Sequence, residues 1–287
     1  MTEVSGAVAD GRIRVATLNL FGRRANWDQR RAVLTSGFTD VRPDLVSFQE
    51  VIKTSDYDQV RAVLGADYHI AHHGTRLADG QGDSIASRWS ITTTQEVEIP
   101  AADGRGSVSS ALIAEIDVPP PIGRVLIVNH PTAFELTREA EREWQARVVA
   151  DFVERQVASQ HAHVVLAGDL NAAPDAASIR FWTGKQSIDG HSVCYRDAWA
   201  ACHPDEPGHT FTPENTLTTT AEGGEWELEL GRRIDYILVR CIEHGPTLDI
   251  TSCRRIFDRP VDGVWASDHF GVTADLSVLT PMRRLAP

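Results

Sequence analysis

The chain has 287 residues, of which 42% are hydrophobic and 24% charged, so it can bury a sizeable core. Its formal charge of −12 argues against tight, non-specific binding of a nucleic-acid duplex, because that mode of binding needs a basic surface. No run of about 18 apolar residues occurs, so no transmembrane segment is expected.

Three helical runs follow one another along the chain. A helix is predicted over residues 27–39 with Asn26 as its N-cap, and a short helix over residues 57–64 ends at Gly65. The longest helix is predicted over residues 138–158. Three apolar side chains at helical spacing mark its buried face: Trp144, Val148 and Phe152.

Short apolar or alternating runs between these helices are typical of β-strands. Residues 204–231 are rich in Thr, Glu, Gly and Pro, which predicts a long loop or flap. Many strands with few helices between them predict an α+β fold, in which two packed sheets are flanked by helices. The strands are predicted over residues 12–20, 45–51, 68–72, 83–88, 95–99, 111–118, 125–128, 164–170, 234–240, 248–256 and 272–278.

No repeat and no break in composition marks a second domain. We therefore expect a single domain over residues 12–280, between a disordered leader over residues 1–11 and a flexible tail over residues 281–287. The four cysteines lack CxxC spacing and are interpreted as reduced thiols of a cytoplasmic protein, although sequence alone leaves a disulfide open. We expect a monomer.

Polar side chains stand at the ends of six strand-like segments. A strand end is where a rigid sheet can present a side chain to a cleft, so six such segments predict one converging site. The residues are Asn19, Glu50, His130, Asp169 with Asn171, Asp235, and Asp268 with His269.

These residue types favour one class of reaction. Carboxylate and amide oxygens without a thiolate cluster favour Mg²⁺ or Mn²⁺ over zinc. Hydrolysis of a phosphate ester needs a metal, hydrogen-bonding or cationic groups around the phosphoryl oxygens, and a base for water. Neither a GxSxG elbow nor a GxxxxGK[ST] loop occurs, so serine hydrolysis and P-loop chemistry have no support.

Eight motifs carry a resemblance to a known family: ATLNLFG, PDLVSFQEV, GDSIASRW, VNHP, REWQARVV, GDLNAAPD, RRIDYILV and SDHFGV. In this order they resemble the endonuclease/exonuclease/phosphatase family, to which deoxyribonuclease I and exonuclease III belong. The resemblance covers about residues 13–276. It implies a four-layered α/β sandwich, with two mixed β-sheets packed face to face and helices outside. It also implies an Mg²⁺-dependent phosphoesterase that hydrolyses a phosphodiester or phosphomonoester by in-line attack of water.

The resemblance further implies roles on the metal side of the site. Glu50 would be the principal metal ligand, with Asn19 next to the metal and its waters. Asp268 would contact the attacking water or a second metal, so the number of metals stays open.

Catalytic roles are implied in the same way. Asp169 would orient or deprotonate the water, and Asn171 would donate to the phosphate of the substrate. His130 and His269 would flank the scissile phosphate, and Asp235 would hydrogen-bond His269. Whether Asp169 or His269 is the general base stays open.

Some positions have two interpretations. Arg23 and Arg24 are either contacts to a substrate phosphate or a solvated loop pair, with Arg23 taken as the candidate for substrate binding, and Trp265 is a candidate wall for the substrate. Asp83 is either a further partner in the site or an exposed turn residue. The family's usual Asn-Thr-His-Leu stretch appears here as Asn129, His130 and Pro131, so the loop after His130 is expected to turn differently.

The substrate stays open between a nucleic acid, a phospholipid head group, and a small nucleotide or sugar phosphate, with the phospholipid least favoured. The alternatives to a general phosphoesterase are a nuclease acting on DNA or RNA and a catalytically silent binding module on the same fold. Specificity is expected in the loops at residues 74–82, 131–137, 187–194 and 204–231.

Overall fold

A computed structural model of the protein describes residues 11–102, 109–157, 163–219 and 230–278. Apart from Gly11, the predicted leader lies outside the described residues, as does the predicted tail. The strands are β1 Arg12–Asn19, β2 Leu45–Ile52, β3 His69–His72, β4 Gln81–Ser87, β5 Ile91–Ile99, β6 Ser109–Asp117, β7 Arg124–Asn129, β8 His163–Asp169, β9 Tyr195–Asp197, β10 Asp235–Ile242, β11 Gly245–Pro246, β12 Asp249–Ile256 and β13 Gly271–Ser277. The α-helices are α1 Trp27–Val41, α2 Gln59–Leu64, α3 Glu139–Val157, α4 Ala177–Trp182 and α5 Ala198–Cys202.

The strands form two mixed sheets. The first has the order β12-β13-β1-β2-β4-β3, and the second has the order β11-β10-β8-β7-β6-β5 with β9 beside β10. Each sheet holds one parallel pair, β1 with β2 and β7 with β8, and the other described pairs are antiparallel. Because parallel strands end at the same edge of a sheet, these two pairs determine where polar strand-end residues meet.

Three apolar clusters separate the layers. The central cluster lies between the sheets, and side chains such as Val15, Ile127 and Val165 fill it. A second cluster joins the β5–β8 side of the second sheet to α3 and α4, and a third joins the first sheet to α1 and α2. The molecule is therefore a four-layered α/β sandwich, which confirms the predicted fold class. None of the described helices has the length and apolar character needed to cross a membrane.

Several local predictions were wrong. Asn26 has a left-handed backbone with φ of 52°, and its side chain forms no capping hydrogen bond. Its backbone carbonyl accepts hydrogen bonds from the first N–H groups of the helix. The predicted side chains Trp144, Val148 and Phe152 are partly buried and pack against the second cluster. The fully buried apolar side chains of α3 were not predicted, and they are Ala146, Val149, Ala150, Val153 and Val157. Helices α4 and α5 and strand β9 were not predicted, since they have only three to six residues and lack a clear period.

Gly208 allows a close approach between a loop and a ring. Its φ is +65°, and a Cβ added there would overlap the Trp199 indole. Gly208→Ala should therefore lower the free energy of unfolding by about 2–4 kcal/mol, from backbone strain together with overpacking. Gly123→Ala is the matched control, because its φ is +76° and nothing lies within 4 Å of the added Cβ. Equal losses in urea denaturation of both variants would contradict the steric part of this prediction.

Candidate active site

The two parallel pairs bring polar residues to one edge of the sandwich. Asn19 ends β1 and Glu50 lies near the end of β2, while Asp169 ends β8 in the opposite sheet. Strand β10 runs antiparallel to β8, and its first residue, Asp235, is in register with Asp169. Asp268 and His269 directly precede Phe270 and β13, and β13 lies beside β1 in the first sheet.

Asn19 joins the carboxylates of the two sheets. Its Nδ2 donates to Glu50 Oε1 at 3.1 Å and to Asp169 Oδ2 at 3.3 Å. The orientation of the amide is determined, because Oδ1 accepts a hydrogen bond from the Phe21 backbone N–H at 2.9 Å. The Asn19 side chain is 3% exposed, so its hydrogen bond to Asp169 is buried, while the one to the partly exposed Glu50 lies at the edge of the cleft.

Left-handed backbone turns aim two of the side chains into the cleft. Glu50 has a φ of 54° and Asn171 a φ of 50°, a conformation that non-glycine residues seldom adopt. The Asn171 backbone N–H donates to Asp169 Oδ1 at 3.0 Å, and its Nδ2 donates to the Thr132 carbonyl at 3.3 Å. Such strain at several positions of one cleft is typical of functional sites.

His269 lies between two aspartates. Its Nδ1 is 3.0 Å from Asp235 Oδ2, and its Nε2 is 3.8 Å from Asp169 Oδ2. Burial opposes the charged ring, but the charges of Asp235 and Asp169 outweigh it and raise the pKa of His269 well above its usual range. The imidazole is therefore protonated at neutral pH and has Nε2 available to donate.

Buried groups behind the cleft hold its loops in place. Ser267 Oγ donates to the Asn19 carbonyl at 2.7 Å. Arg30 of α1 is 1% exposed and donates to the carbonyls of Leu20, Arg24 and Ala266, so one guanidinium joins the loops after β1 and before β13. Burial lowers the pKa of Arg30 to about 10, which still leaves it charged.

Thr210 fixes the start of β10 in the same way. Its Oγ1 accepts from the Asp235 backbone N–H at 3.2 Å, and its carbonyl accepts from the Phe270 N–H at 2.7 Å. One loop residue thereby holds both Asp235 and the backbone that directly follows His269.

Carboxylates dominate the electrostatics of the cleft. Burial raises the pKa of Asp83 to about 7 and that of Asp268 to about 6, and the charge of Glu50 adds to both shifts. Burial and the charge of Asp235 also raise the pKa of Asp169. Clustered carboxylates taken out of water are stabilised by protonation or by a nearby cation, and hard oxygens of this kind suit Mg²⁺ or Mn²⁺.

One group of three offers ligand atoms within 4.8 Å of one another among the described residues: Asp169, Asp235 and His269. This set differs from the predicted metal ligands Asn19, Glu50 and Asp268. His269 Nδ1 contacts Asp235 Oδ2 at 3.0 Å and Nε2 lies 3.8 Å from Asp169 Oδ2, so both ring nitrogens face carboxylates of the same group. We therefore interpret the triad as an ion-pair system.

Most of these groups face a cleft of about 600 Å³. Asn19, Glu50, Asp83, Asp169 and Asp268 line it, together with Asn171 and His269. Asp83 therefore borders the cleft, as the first of the two interpretations of that residue expects.

Four predicted site residues do not line this cleft: Asp235, which contacts His269 from the buried side, and His130, Arg23 and Trp265. His130 is fully buried, its ring lies 6.2 Å from that of Trp182, and neither ring nitrogen has a hydrogen-bond partner among the described residues. The physical reason is strand alternation: Asn129 points at the opposite sheet, so the next side chain points towards the helices. Burial lowers the pKa of His130 to about 3, which leaves the ring neutral.

Arg23 and Trp265 also lie outside the residues described as lining the cleft. The Arg23 guanidinium sits 4.6 Å above the Tyr57 ring, and Trp265 stacks on Phe270 at 5.7 Å. The neighbouring Arg24 does line the cleft and contacts Glu50 Oε2 at 2.8 Å.

Sequence reasoning missed several contributors to the site. Arg24 was considered only together with Arg23, because nothing in an Arg-Arg pair tells which member turns inward. Arg232 and Phe211, which line the cleft, belong to a region predicted only as a flap or lie beside it. Arg30 carried the one usable signal, since it is a charged residue on the apolar side of a predicted helix.

The comparisons with known proteins agree with this architecture. A family model described as the Endonuclease/Exonuclease/phosphatase family matches residues 16–269. Truncated Caenorhabditis elegans TDP2 is similar in structure, with a TM-score of 0.71 and 18% identity, over 93% of this chain and 98% of that one. D. rerio TDP2 complexed with single-strand DNA product has a TM-score of 0.71 and 20% identity over 93% and 99%. The human nocturnin catalytic domain with bound sulfate has a TM-score of 0.69 and 14% identity, over 94% of this chain and 95% of that one. No curated protein sequence matches significantly.

Asp268→Asn should stabilise the metal-free protein. The pKa of the carboxyl rises from 3.8 to about 6 on folding, so its ionised form opposes folding at neutral pH by up to about 3 kcal/mol. The folded state binds the extra proton, so this part of the stability is lost as pH rises from about 4 to 6. Urea denaturation in EDTA should show the Asp268→Asn variant gaining most over the wild type at pH 7 and nothing at pH 3.5.

Asp275→Asn on β13 is the control with the opposite sign. Burial alone would raise the pKa of Asp275, but hydrogen bonds from Arg14 at 2.7 Å and Ser252 at 3.0 Å outweigh it and lower that pKa. Its replacement should destabilise the protein at neutral pH. A loss of stability in Asp268→Asn under the same conditions would contradict the prediction.

Proposed function

Because the chain belongs to the endonuclease/exonuclease/phosphatase family, we propose that it is a divalent-metal-dependent hydrolase of phosphate esters, and more specifically a phosphodiesterase. The observation that carries this proposal is the Asn19 amide, which holds Glu50 and Asp169 together while His269 faces Asp169 from the other side. The arrangement offers oxygen ligands, a basic carboxylate and a cationic donor in one cleft.

The metal would be held by Glu50 and Asp268, with Asn19 beside it. A bound Mg²⁺ or Mn²⁺ would supply charge to stabilise the phosphoryl oxygens as the ester bond breaks. The residues around it match the ion in donor type, since they offer oxygens and no thiolate.

The proton transfers are assigned to the triad. Asp169 has a raised pKa and lines the cleft, so we propose that its carboxylate acts as the general base that accepts a proton from the attacking water. Charged His269 would donate from Nε2 to a phosphoryl oxygen, and Asn171 would donate a second hydrogen bond. Asp235 would keep the imidazole charged and oriented.

A nuclease is the second candidate function. It is favoured by one observation, the similarity in fold to D. rerio TDP2 complexed with single-strand DNA product. The charge of −12 and the acidic cleft argue for a short or single-stranded substrate over a duplex. A catalytically silent binding module is disfavoured, because Glu50, Asp169 and His269 are all present in the cleft.

We further propose that the protein works in the cytoplasm. All four cysteines are free thiols, which suits a reducing compartment.

The test is hydrolysis of bis(p-nitrophenyl) phosphate and p-nitrophenyl phosphate, beside nicking of plasmid DNA. Activity on the diester should appear with Mg²⁺ or Mn²⁺ and vanish in EDTA. Asp169→Asn and His269→Ala should each reduce kcat/KM about 10³-fold or more. Asp151→Asn, which removes a carboxylate on α3 that pairs with Arg147, is the control and should match the wild type. Diesterase activity that survives in both site variants would refute the assignment.

Asp235→Asn tests the positioning of the histidine separately. The variant removes the charge that holds His269 protonated, so kcat should fall about 10²-fold or more with KM within about 3-fold. Asp58→Asn is the matched control, because Asp58 contacts His72 at 2.9 Å in an Asp–His pair outside the cleft. Equal rates for Asp235→Asn and Asp58→Asn would exclude the proposed role of Asp235.

A further inference from the structure

Three exposed apolar side chains line the cleft that holds the carboxylates. Leu77 is 64% exposed, Phe134 61% and Leu136 65%, and together they make up most of the large exposed hydrophobic residues described. All three border the same cavity as Glu50 and Asp169. Single exposed apolar residues are ordinary on a surface, but three that converge on a catalytic cleft indicate a ligand surface.

Buried polar side chains hold the loop that carries Phe134 and Leu136. Arg142 is 4% exposed and donates to the Ala133 carbonyl at 2.9 Å and to the Glu135 carbonyl at 2.8 Å. Gln145 Oε1 accepts from the Ala133 backbone N–H at 3.0 Å. Both side chains come from α3, so the two apolar side chains project from a fixed backbone.

The loop that carries Leu77 is held in a similar way. Arg76 donates to the Val51 carbonyl at 2.8 Å and to the Gly80 carbonyl at 2.9 Å. The Leu77 backbone N–H donates to the Gln81 carbonyl at 2.9 Å, which closes the turn into β4. Hydrogen bonds therefore fix the backbones of both loops, and the apolar side chains project from these fixed backbones.

We propose that this apolar wall, formed by Leu77, Phe134 and Leu136, binds an alkyl or aryl group that is esterified to the phosphate of the substrate. The proposal rests on the proposed function, because it places the phosphate at the carboxylate side of the same cleft. It narrows the substrate to a phosphate ester with a substantial apolar group.

The dimensions and charge of the cleft favour a substrate group over a macromolecular partner. A cavity of about 600 Å³ is in the range of small-molecule sites, and one of its sides carries the catalytic groups. The acidic side with Asp83 and Glu50 would repel an anionic membrane surface. In a phosphate ester with an apolar group, the phosphate would lie at the carboxylate side of the cleft while the apolar group would contact the opposite side.

The experiment measures binding of n-alkyl phosphates by calorimetry in Mg²⁺, with ethyl, butyl and hexyl phosphate as probes. In the wild type, Kd should fall about 10-fold or more from ethyl to hexyl phosphate, because each buried methylene strengthens binding. In the triple variant Leu77→Ser, Phe134→Ser and Leu136→Ser, the Kd values should differ by less than about 3-fold. The three side chains are exposed, so the thermal midpoint should stay near that of the wild type.

Val261→Ser is the matched control, because Val261 is 54% exposed and lies outside the cleft. It should keep the full dependence on chain length. A wild type that binds hexyl phosphate no better than ethyl phosphate would overturn the proposal. So would sedimentation with neutral phosphatidylcholine vesicles that depends on the three side chains without any dependence on alkyl chain length, since that result assigns the wall to membrane docking.

Diester hydrolysis measured on the same preparations separates this inference from the proposed function. Active enzyme without dependence on chain length would overturn the apolar wall alone. Chain-length-dependent binding in an enzyme without diesterase activity would support the wall and refute the catalytic assignment.

Discussion

Hydrogen bonds that cross from one β-sheet to the other set the geometry of the cleft. Ser47 Oγ donates to the Ala167 carbonyl at 2.6 Å, and Gln49 Nε2 donates to Asn129 Oδ1 at 3.1 Å. Leaving such buried groups unpaired would cost about 1–3 kcal/mol each, so the sheets cannot slide past one another without a large penalty. Glu50 directly follows Gln49 on β2, and Asp169 lies two residues after Ala167 on β8. Their separation is therefore determined by the register of the two sheets.

That rigid register has an electrostatic consequence. The fold brings Asp83, Asp169 and Asp268 together in a region largely withdrawn from water, and burial raises the pKa of each. Folding brings these carboxylates close together, and their repulsion lowers the stability of the protein. The proposed divalent cation would relieve that repulsion, so its affinity and the lost stability would have the same origin. A site of this kind can be maintained only on a scaffold whose apolar layers stabilise it from both sides.

The sequence predicted most strands and the fold class because buried strands have a strong apolar signal and the motifs occur in order. It also placed Asn19, Glu50, Asp169 and Asp268 at strand ends, and the structure brings these together. It failed where the outcome depends on tertiary contacts. Which face of α3 is buried depends on α4, a helix too short to predict. The direction of His130 follows from strand alternation after Asn129, and the motif resemblance concealed it.

The His130 side chain points towards the helices and away from the cleft, so the groups available for recognition in the cleft change. With that ring against Trp182, the phosphate side keeps one histidine, and the chain leaves the strand through Pro131 into the loop that carries Phe134 and Leu136. A second histidine would have added charge on this side of the cleft, but the apolar side chains of Phe134 and Leu136 line it instead. Under the proposed function, recognition would combine one metal-assisted anionic contact with burial of an apolar group. A uniformly charged polymer supplies only the first of these, whereas a small ester with a hydrophobic substituent supplies both.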